Sequence, residues 1–271
     1  MIQSLAVIGT GNMAKAIIRG ITSSSREISL SRIYVYDIHP EQYQALLNDS
    51  VCEVKSIKEA VERADAVLLS VKPQQYQDVL NDVIKADGYD TKLYISIGAG
   101  ISVDTVASAL GGAPVVRVLP NVPMLIGMGV SVICRNPMVS ADHYEFVKRI
   151  FCCAGSIFEI DESDMNRIIG VTSSSPAYVF QFIDAIFQGA IAQGLDANGL
   201  LPAICDMVIG SATMLKNGND QPAELIAKVA SKGGTTEQAL RVLADEGFSD
   251  SVIRAMSACT KRADELGKIN G

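Results

Sequence analysis

Leu5-Ala6-Val7-Ile8-Gly9-Thr10-Gly11-Asn12-Met13-Ala14 decides how this chain is read. A strand-length apolar run passes directly into a G-x-G-x-x-A turn, and a helical pattern follows. Gly9 permits the tight turn, Gly11 lets backbone approach a pyrophosphate, and Ala14 lets a helix pack closely on a sheet. A diphosphate placed there meets free N–H groups at the helix N-terminus. Ile8, Gly9, Thr10, Gly11, Asn12 and Met13 are therefore the expected cofactor cradle. An ordinary glycine turn is the alternative, and the strand-turn-helix context speaks against it.

Working outward, short apolar runs alternate with amphipathic stretches over the first 160 or so residues, the pattern of βαβ units and a mostly parallel sheet. Strands are expected at residues 5–8, 33–36, 66–71, 93–97 and 115–119, with later ones at 130–134 and 156–160. Helices are expected at 11–21, 40–47 and 74–84. Most of these strands are apolar on both faces, as sheets covered by helices on both sides require. The texture changes near Asp161-Glu162-Ser163-Asp164, after which only helical patterns remain. The fold class is thus α/β, a Rossmann-type domain over 1–162 followed by an all-α domain over 163–271. The helix opened by Ser175-Pro176 carries Val179, Phe182, Ile183, Ile186, Phe187, Ala190 and Ile191 at helical spacing, with Ala177, Tyr178 and Phe180 off that stripe. A helix apolar nearly all round needs cover on most sides, which points to a partner subunit. Further helices are expected from Gly194-Leu195-Asp196 to about Lys216, from Gln221-Pro222, and from Ser249 onward.

Composition narrows the function. The 271 residues carry a net charge of −7, the wrong sign for a nucleic-acid or anionic-membrane partner. No apolar run reaches the roughly 18 residues of a membrane span. The opening residues lack the pattern of a signal peptide, so a cytoplasmic protein is expected. Six Cys without a C-x-x-C and only two His, His39 and His143, make a zinc site unexpected and reduced thiols the simplest reading.

Asp37 ends the second strand, where a carboxylate accepts hydrogen bonds from ribose hydroxyls and repels a 2′-phosphate. Ile38-His39-Pro40 brings no Arg or Lys to offset that charge, which favours NADH. A helix-capping role before Pro40 is the alternative. Ser70-Val71-Lys72-Pro73 and Gly98-Ala99-Gly100 follow later strands at their carboxyl ends, where open α/β sheets bind ligands. Lys72 reads equally as a solvated loop cation. Neither His is placed as a convincing proton donor for carbonyl reduction. The 3-hydroxyacid dehydrogenases of related architecture carry a Lys on the first long helix of the second domain, and this chain has none between Lys148 and Lys216. An imine needs less help, since once protonated it is already an electrophile.

A second motif is Ser231-Lys232-Gly233-Gly234-Thr235-Thr236-Glu237-Gln238. Its glycines let the chain curl, and Thr235 with Gln238 has the T-x-x-Q form of a capping box. The turn exposes N–H groups suited to a carboxylate, or is simply a helix cap.

These segments, together with Arg117-Val118-Leu119-Pro120-Asn121-Val122-Pro123, resemble the pyrroline-5-carboxylate reductase family in order and spacing over essentially the whole chain. The family commonly has Pro where Lys232 stands, and Gly where Ser173 and Ser175 stand, so altered substrate fit is one implication. The resemblance implies a Rossmann domain with NAD(P)H, a helical dimerisation domain, and hydride transfer to C5 of the pyrroline ring, giving L-proline. It implies Gly233, Gly234 and Thr235 holding the substrate carboxylate and Thr236 on the ring nitrogen as the catalytic contact. It also implies Glu162 and Ser175 near the substrate and Asn121 at the cofactor. Homodimers, often assembled into decamers, and frequent use of NADPH are further implications. The competing expectations are a reductase of another small cyclic imine or carbonyl compound, and a silent paralogue that only binds.

Overall fold

The computed structural model describes residues 2–23, 28 and 30–267, with 268–270 as helix backbone alone. Its strands are β1 (Ser4–Ile8), β2 (Arg32–Tyr36), β3 (Val51–Glu53), β4 (Ala66–Leu69), β5 (Leu93–Ser96), β6 (Val115–Leu119), β7 (Gly129–Arg135) and β8 (Gly155–Glu159). Its helices are α1 (Asn12–Ser23), α2 (Ile57–Arg63), α3 (Tyr76–Val83), α4 (Val103–Ala109), α5 (Ala141–Cys152), α6 (Ser175–Ala192), α7 (Leu200–Asn217), α8 (Pro222–Val229), α9 (Thr235–Asp245) and α10 (Phe248–Asn270).

One eight-stranded sheet runs in the order β3-β2-β1-β4-β5-β6-β7-β8. The first six strands are mutually parallel, β7 runs antiparallel to β6, and β8 is parallel to β7. Alternation along each strand divides the core. Leu5, Val7, Ala66 and Leu68 face α1 and α5, where Ile17, Ile18, Val147 and Phe151 are buried. Ala6, Ile8, Val67 and Leu69 face α2, α3 and α4, where Val61, Leu80, Val83 and Val106 are buried. Both faces of the inner strands are therefore apolar, and the chain reverses its direction of growth between β1 and β4. That reversal opens a crevice at their carboxyl ends, the usual ligand position in such sheets.

Three local expectations change. Residues 40–47 form two 3-10 turns, Pro40–Gln42 and Gln44–Leu46, not an α-helix. Only Tyr43 and Leu46 of this stretch reach the core, and the link must return at once to the short edge strand β3, which the sequence did not reveal. The helix expected from residue 74 starts as a 3-10 turn at Pro73–Gln75, and α3 follows. The helix expected directly after Gly194 starts only at Leu200.

The chain divides into two compact units. The first is Met1–Ser174 with Ala258–Gly271, and the second is Ser175–Ser257. The boundary lies later than the 162/163 division read from the sequence, because the short turns after Asp161 pack on the sheet: Met165 and Ile169 are buried in its second core layer. The end of α10 belongs there too, since Ala263 is buried in the same layer and Asp264 accepts a hydrogen bond from Asn166 Nδ2 at 2.8 Å.

The second unit has little interior. No residue of α6, α8 or α9 is buried, and in α7 only Ile204 is. Phe180, Phe182, Ile209, Met214, Ile226, Val242 and Phe248 are exposed in the single chain. So much apolar surface on helices marks an interaction face.

Candidate active site

Gly9 closes β1 in the left-handed region, at φ +86°. Its N–H donates to Tyr36 O at 2.9 Å. A Cβ there would lie 2.5 Å from Ser70 O, so β4 presses directly on the turn. A Cβ on Gly11 would meet nothing within 4 Å. The backbone in front of α1 is thus open to a ligand at Gly11 and closed by packing at Gly9, the arrangement a diphosphate requires.

A cavity of about 430 Å³ lies at this end of the sheet. It is lined by Ile8, Gly9, Gly11, Asn12, Asp37, Ser70, Val71 and Lys72, all expected from the sequence. His39, which the sequence puts at the cofactor edge, lines it too, and Tyr36, Ile38, Gln42, Ile57, Gln75 and Val79 also line it and were not expected. They come from the end of β2 and from the segments and helix starts that follow β2, β3 and β4, the carboxyl edge of the sheet. A larger hollow, about 550 Å³, lies beside Ser140, His143 and Arg149. It has no glycine turn and no strand end, so it lacks the chemistry of a nucleotide site.

Several expected cofactor residues do other work. Thr10 is fully buried, and its N–H and hydroxyl donate to Asp37 Oδ2 at 2.6 and 3.1 Å. Asp37 Oδ1 accepts from the His39 N–H at 3.0 Å. Asp37, expected on the ribose, thus braces the glycine turn against the segment after β2 and lines the cavity as well. Asn121 is a brace as well: its Oδ1 accepts from Val130 N–H at 2.8 Å and its Nδ2 donates to Thr172 O at 3.0 Å. Met13 packs against the core, Pro73 opens the 3-10 turn, and Gly98 lies against the Tyr76 ring, with Ala99 exposed beside it. None of these lines the cavity.

Glu162, expected beside substrate, is committed within the first unit. Its Oε1 accepts from Arg117 Nη1 at 2.8 Å and from Val103 N–H at 3.2 Å, and its Oε2 accepts from Cys134 Sγ at 2.6 Å. The Arg117 side chain is 3% exposed, and its Nη2 donates to Asn166 Oδ1 at 3.0 Å. Burial pushes the Cys134 thiol above its ordinary pKa, and the Glu162 carboxylate adds to this. This is the protonated state a donor needs. All six cysteines are free thiols.

In the second unit, Ser175 opens α6. Gly233 is left-handed at φ +74°, and Gly234 is the extended N-cap of α9. The expected Thr235–Gln238 capping box is not formed. The helix begins one residue sooner, so Glu237 rather than Gln238 reaches back, its Oε2 accepting from Gly233 N–H at 2.6 Å. Thr235 and Thr236 occupy the first turn, where N–H groups have no acceptor within the helix.

The family model for pyrroline-5-carboxylate reductase dimerisation matches residues 162–266. The model described as NADP oxidoreductase coenzyme F420-dependent matches residues 4–100. The pyrroline-5-carboxylate reductase of Escherichia coli strain K12 is 34% identical over 270 residues, covering 99% of this chain and 100% of its own. The crystal structure of the Plasmodium falciparum enzyme with NADP bound has a TM-score of 0.86 at 26% identity, covering 98% of each chain. The Streptococcus pyogenes enzyme gives 0.87 at 26%, covering 97% of this chain and 98% of its own.

Proposed function

The chain belongs to the pyrroline-5-carboxylate reductase family, and on that premise we propose that it reduces L-1-pyrroline-5-carboxylate to L-proline with NAD(P)H. The observation that carries this reading is the full-length match, in which the glycine turn at β1 and the Gly233-Gly234-Thr235-Thr236 loop stand in one chain. The cofactor, when bound, supplies the hydride that the imine carbon takes up. The rest is binding and orientation by the chain. Gly11 and Asn12 present helix N–H groups to the diphosphate, and Ser70, Val71 and Lys72 border the same cavity. Gly234 and Thr235 receive the substrate carboxylate at the start of α9, and Thr236 is the catalytic contact to the ring nitrogen. Gly233 joins them only once Glu237 releases its N–H. Ser175 is assigned to the same substrate site. Glu162 acts by positioning, through Arg117, rather than by touching substrate.

The apolar helices of the second unit pair with those of a second copy in a homodimer, and a decamer would be a further assembly of such dimers. No helix among the described residues is long and apolar enough to cross a membrane, and we assign the enzyme to the cytoplasm.

The test is oxidation of NADPH and NADH by the purified chain with pyrroline-5-carboxylate, and with other cyclic imines as controls. Turnover of another imine alone would give Ser173, Ser175 and Lys232 the meaning of a changed substrate. Thr236→Val should lower kcat/KM by about 10- to 150-fold, the loss of one charge-assisted hydrogen bond of about 1.5–3 kcal/mol. Thr235→Val, whose contact is made by backbone, should lose less. Full activity in both would remove the loop from the site.

A further inference from the structure

We propose that Lys15 is the residue that reads the 2′-phosphate of NADPH in this chain, so that discrimination between NADPH and NADH turns on it. The proposal rests on the cofactor reading of the cavity and not on the identity of the imine.

The carboxylate at the end of β2 ordinarily decides this choice, because it accepts the ribose hydroxyls and repels a phosphate. Asp37 is arranged differently. A carboxylate has about four lone-pair positions, and the protein fills three. Thr10 N–H and Oγ1 occupy Oδ2, and His39 N–H occupies one position on Oδ1. Asp37 still lines the cavity, but three of its acceptor positions are taken by donors of its own chain and only one is left to meet a ribose hydroxyl.

The opposite sign stands close by. Lys15 lies on α1 one turn past the cradle, its N–H donating to Gly11 O at 3.0 Å. Its Nζ donates to Gln42 Oε1 at 2.6 Å. Gln42 lines the cavity together with Asp37, Ile38 and His39, at the ribose edge that the β2 carboxylate defines. Among the described residues no carboxylate lies within ion-pair reach of Lys15. Its partner is a neutral amide, so turning to a phosphate breaks no ion pair and gains a charge-assisted bond. The helix thus brings to this edge the cation that Ile38-His39-Pro40 does not supply.

Fluorescence titration of the full-length protein with NADPH and with NADH, without substrate, reads this directly. kcat/KM for each cofactor is the second readout. The unaltered protein should bind NADPH at least about tenfold more tightly, with the steeper salt dependence of a charged contact. Lys15→Met should weaken NADPH by about 10- to 150-fold, the worth of a hydrogen bond to a charged group, and leave NADH within about threefold. Lys15→Arg should retain the preference. Gln42→Glu, which gives Lys15 a carboxylate and faces the phosphate with one, should lose NADPH selectively. Asp37→Asn should weaken both cofactors alike, since it loosens the turn. An NADH-preferring protein, or a Lys15→Met variant that loses both cofactors equally, would overturn the assignment. If neither cofactor bound, the reading of the cavity would fall with it.

Discussion

Glu162→Ala separates a brace from a substrate contact. The Arg117 guanidinium is almost wholly buried, and Glu162 is its only carboxylate partner among the described residues. Breaking a buried ion pair by removing one member costs about 3–5 kcal/mol, because the charge left behind has no compensation. The Glu162 side chain is 29% exposed, so water relieves part of that cost, and about 2–4 kcal/mol is the expected loss. For a unit of this size, each kcal/mol moves Tm by about 2–4 °C, which gives a fall of roughly 5–15 °C. Thermal unfolding followed by circular dichroism measures it, with Arg117→Met and the double variant completing the cycle. The double variant should be no less stable than Glu162→Ala alone, since the uncompensated charge is then gone. Cofactor affinity should stay within about threefold, because the cluster lies outside the cavity lining. A Tm unchanged within about a degree, together with a raised KM for the imine, would refute the brace and return Glu162 to the substrate.

Gly9→Ala should lower Tm and weaken NADPH and NADH by more than about tenfold. The left-handed φ alone costs about 1–2 kcal/mol in any residue with a Cβ, and that Cβ also meets Ser70 O; Gly11→Ala, with open space at its Cβ, should keep its Tm and lose only cofactor affinity. Phe182→Asp, on α6, should yield monomers or aggregates with little activity, and light scattering showing an active, monodisperse monomer of the unaltered chain would remove the basis for this. Alkaline stability should depend on Tyr76. Burial pushes its hydroxyl from 10 up to about 12, and its O–H donates to Leu69 O at 3.0 Å. A folded-state pKa raised in this way contributes stability that is complete below pH 10 and lost as pH rises towards 12. Tyr76→Phe should flatten that limb of a denaturation series, and an unchanged slope would assign the loss to other groups.

Much of the fold was legible because its signals are local. The inner strands declare themselves as apolar runs, since both faces of a covered parallel sheet must be apolar. β6 at Val115–Leu119 and the turn after Ile8 could be read residue by residue. β3 could not, because a strand of three residues is too short to show a period. The turns between Pro40 and Leu46 have a helical pattern, but only Tyr43 and Leu46 of that stretch find cover in the core, too little to hold a continuous α-helix.

The candidate site divides the same way. Sequence by itself determined the glycine turn after β1, since a glycine with positive φ between a strand and a helix is a backbone requirement, written in residue type. It also determined the chain's family and the apolar character of α6, both of which rest on residue order alone. Only the tertiary structure decided which groups Asp37, Asn121 and Glu162 meet. Each is a polar residue whose role depends on which donor lies opposite, and those donors, Thr10, Val130 and Arg117, come from other segments of the chain. Lys15 shows the converse. No motif marks it in the sequence, and it reaches Gln42 at the cavity only because α1 and the turn at Pro40–Gln42 lie close in space. A side chain's partner is set by distance in space, which sequence spacing does not encode beyond a helical turn or a strand pair.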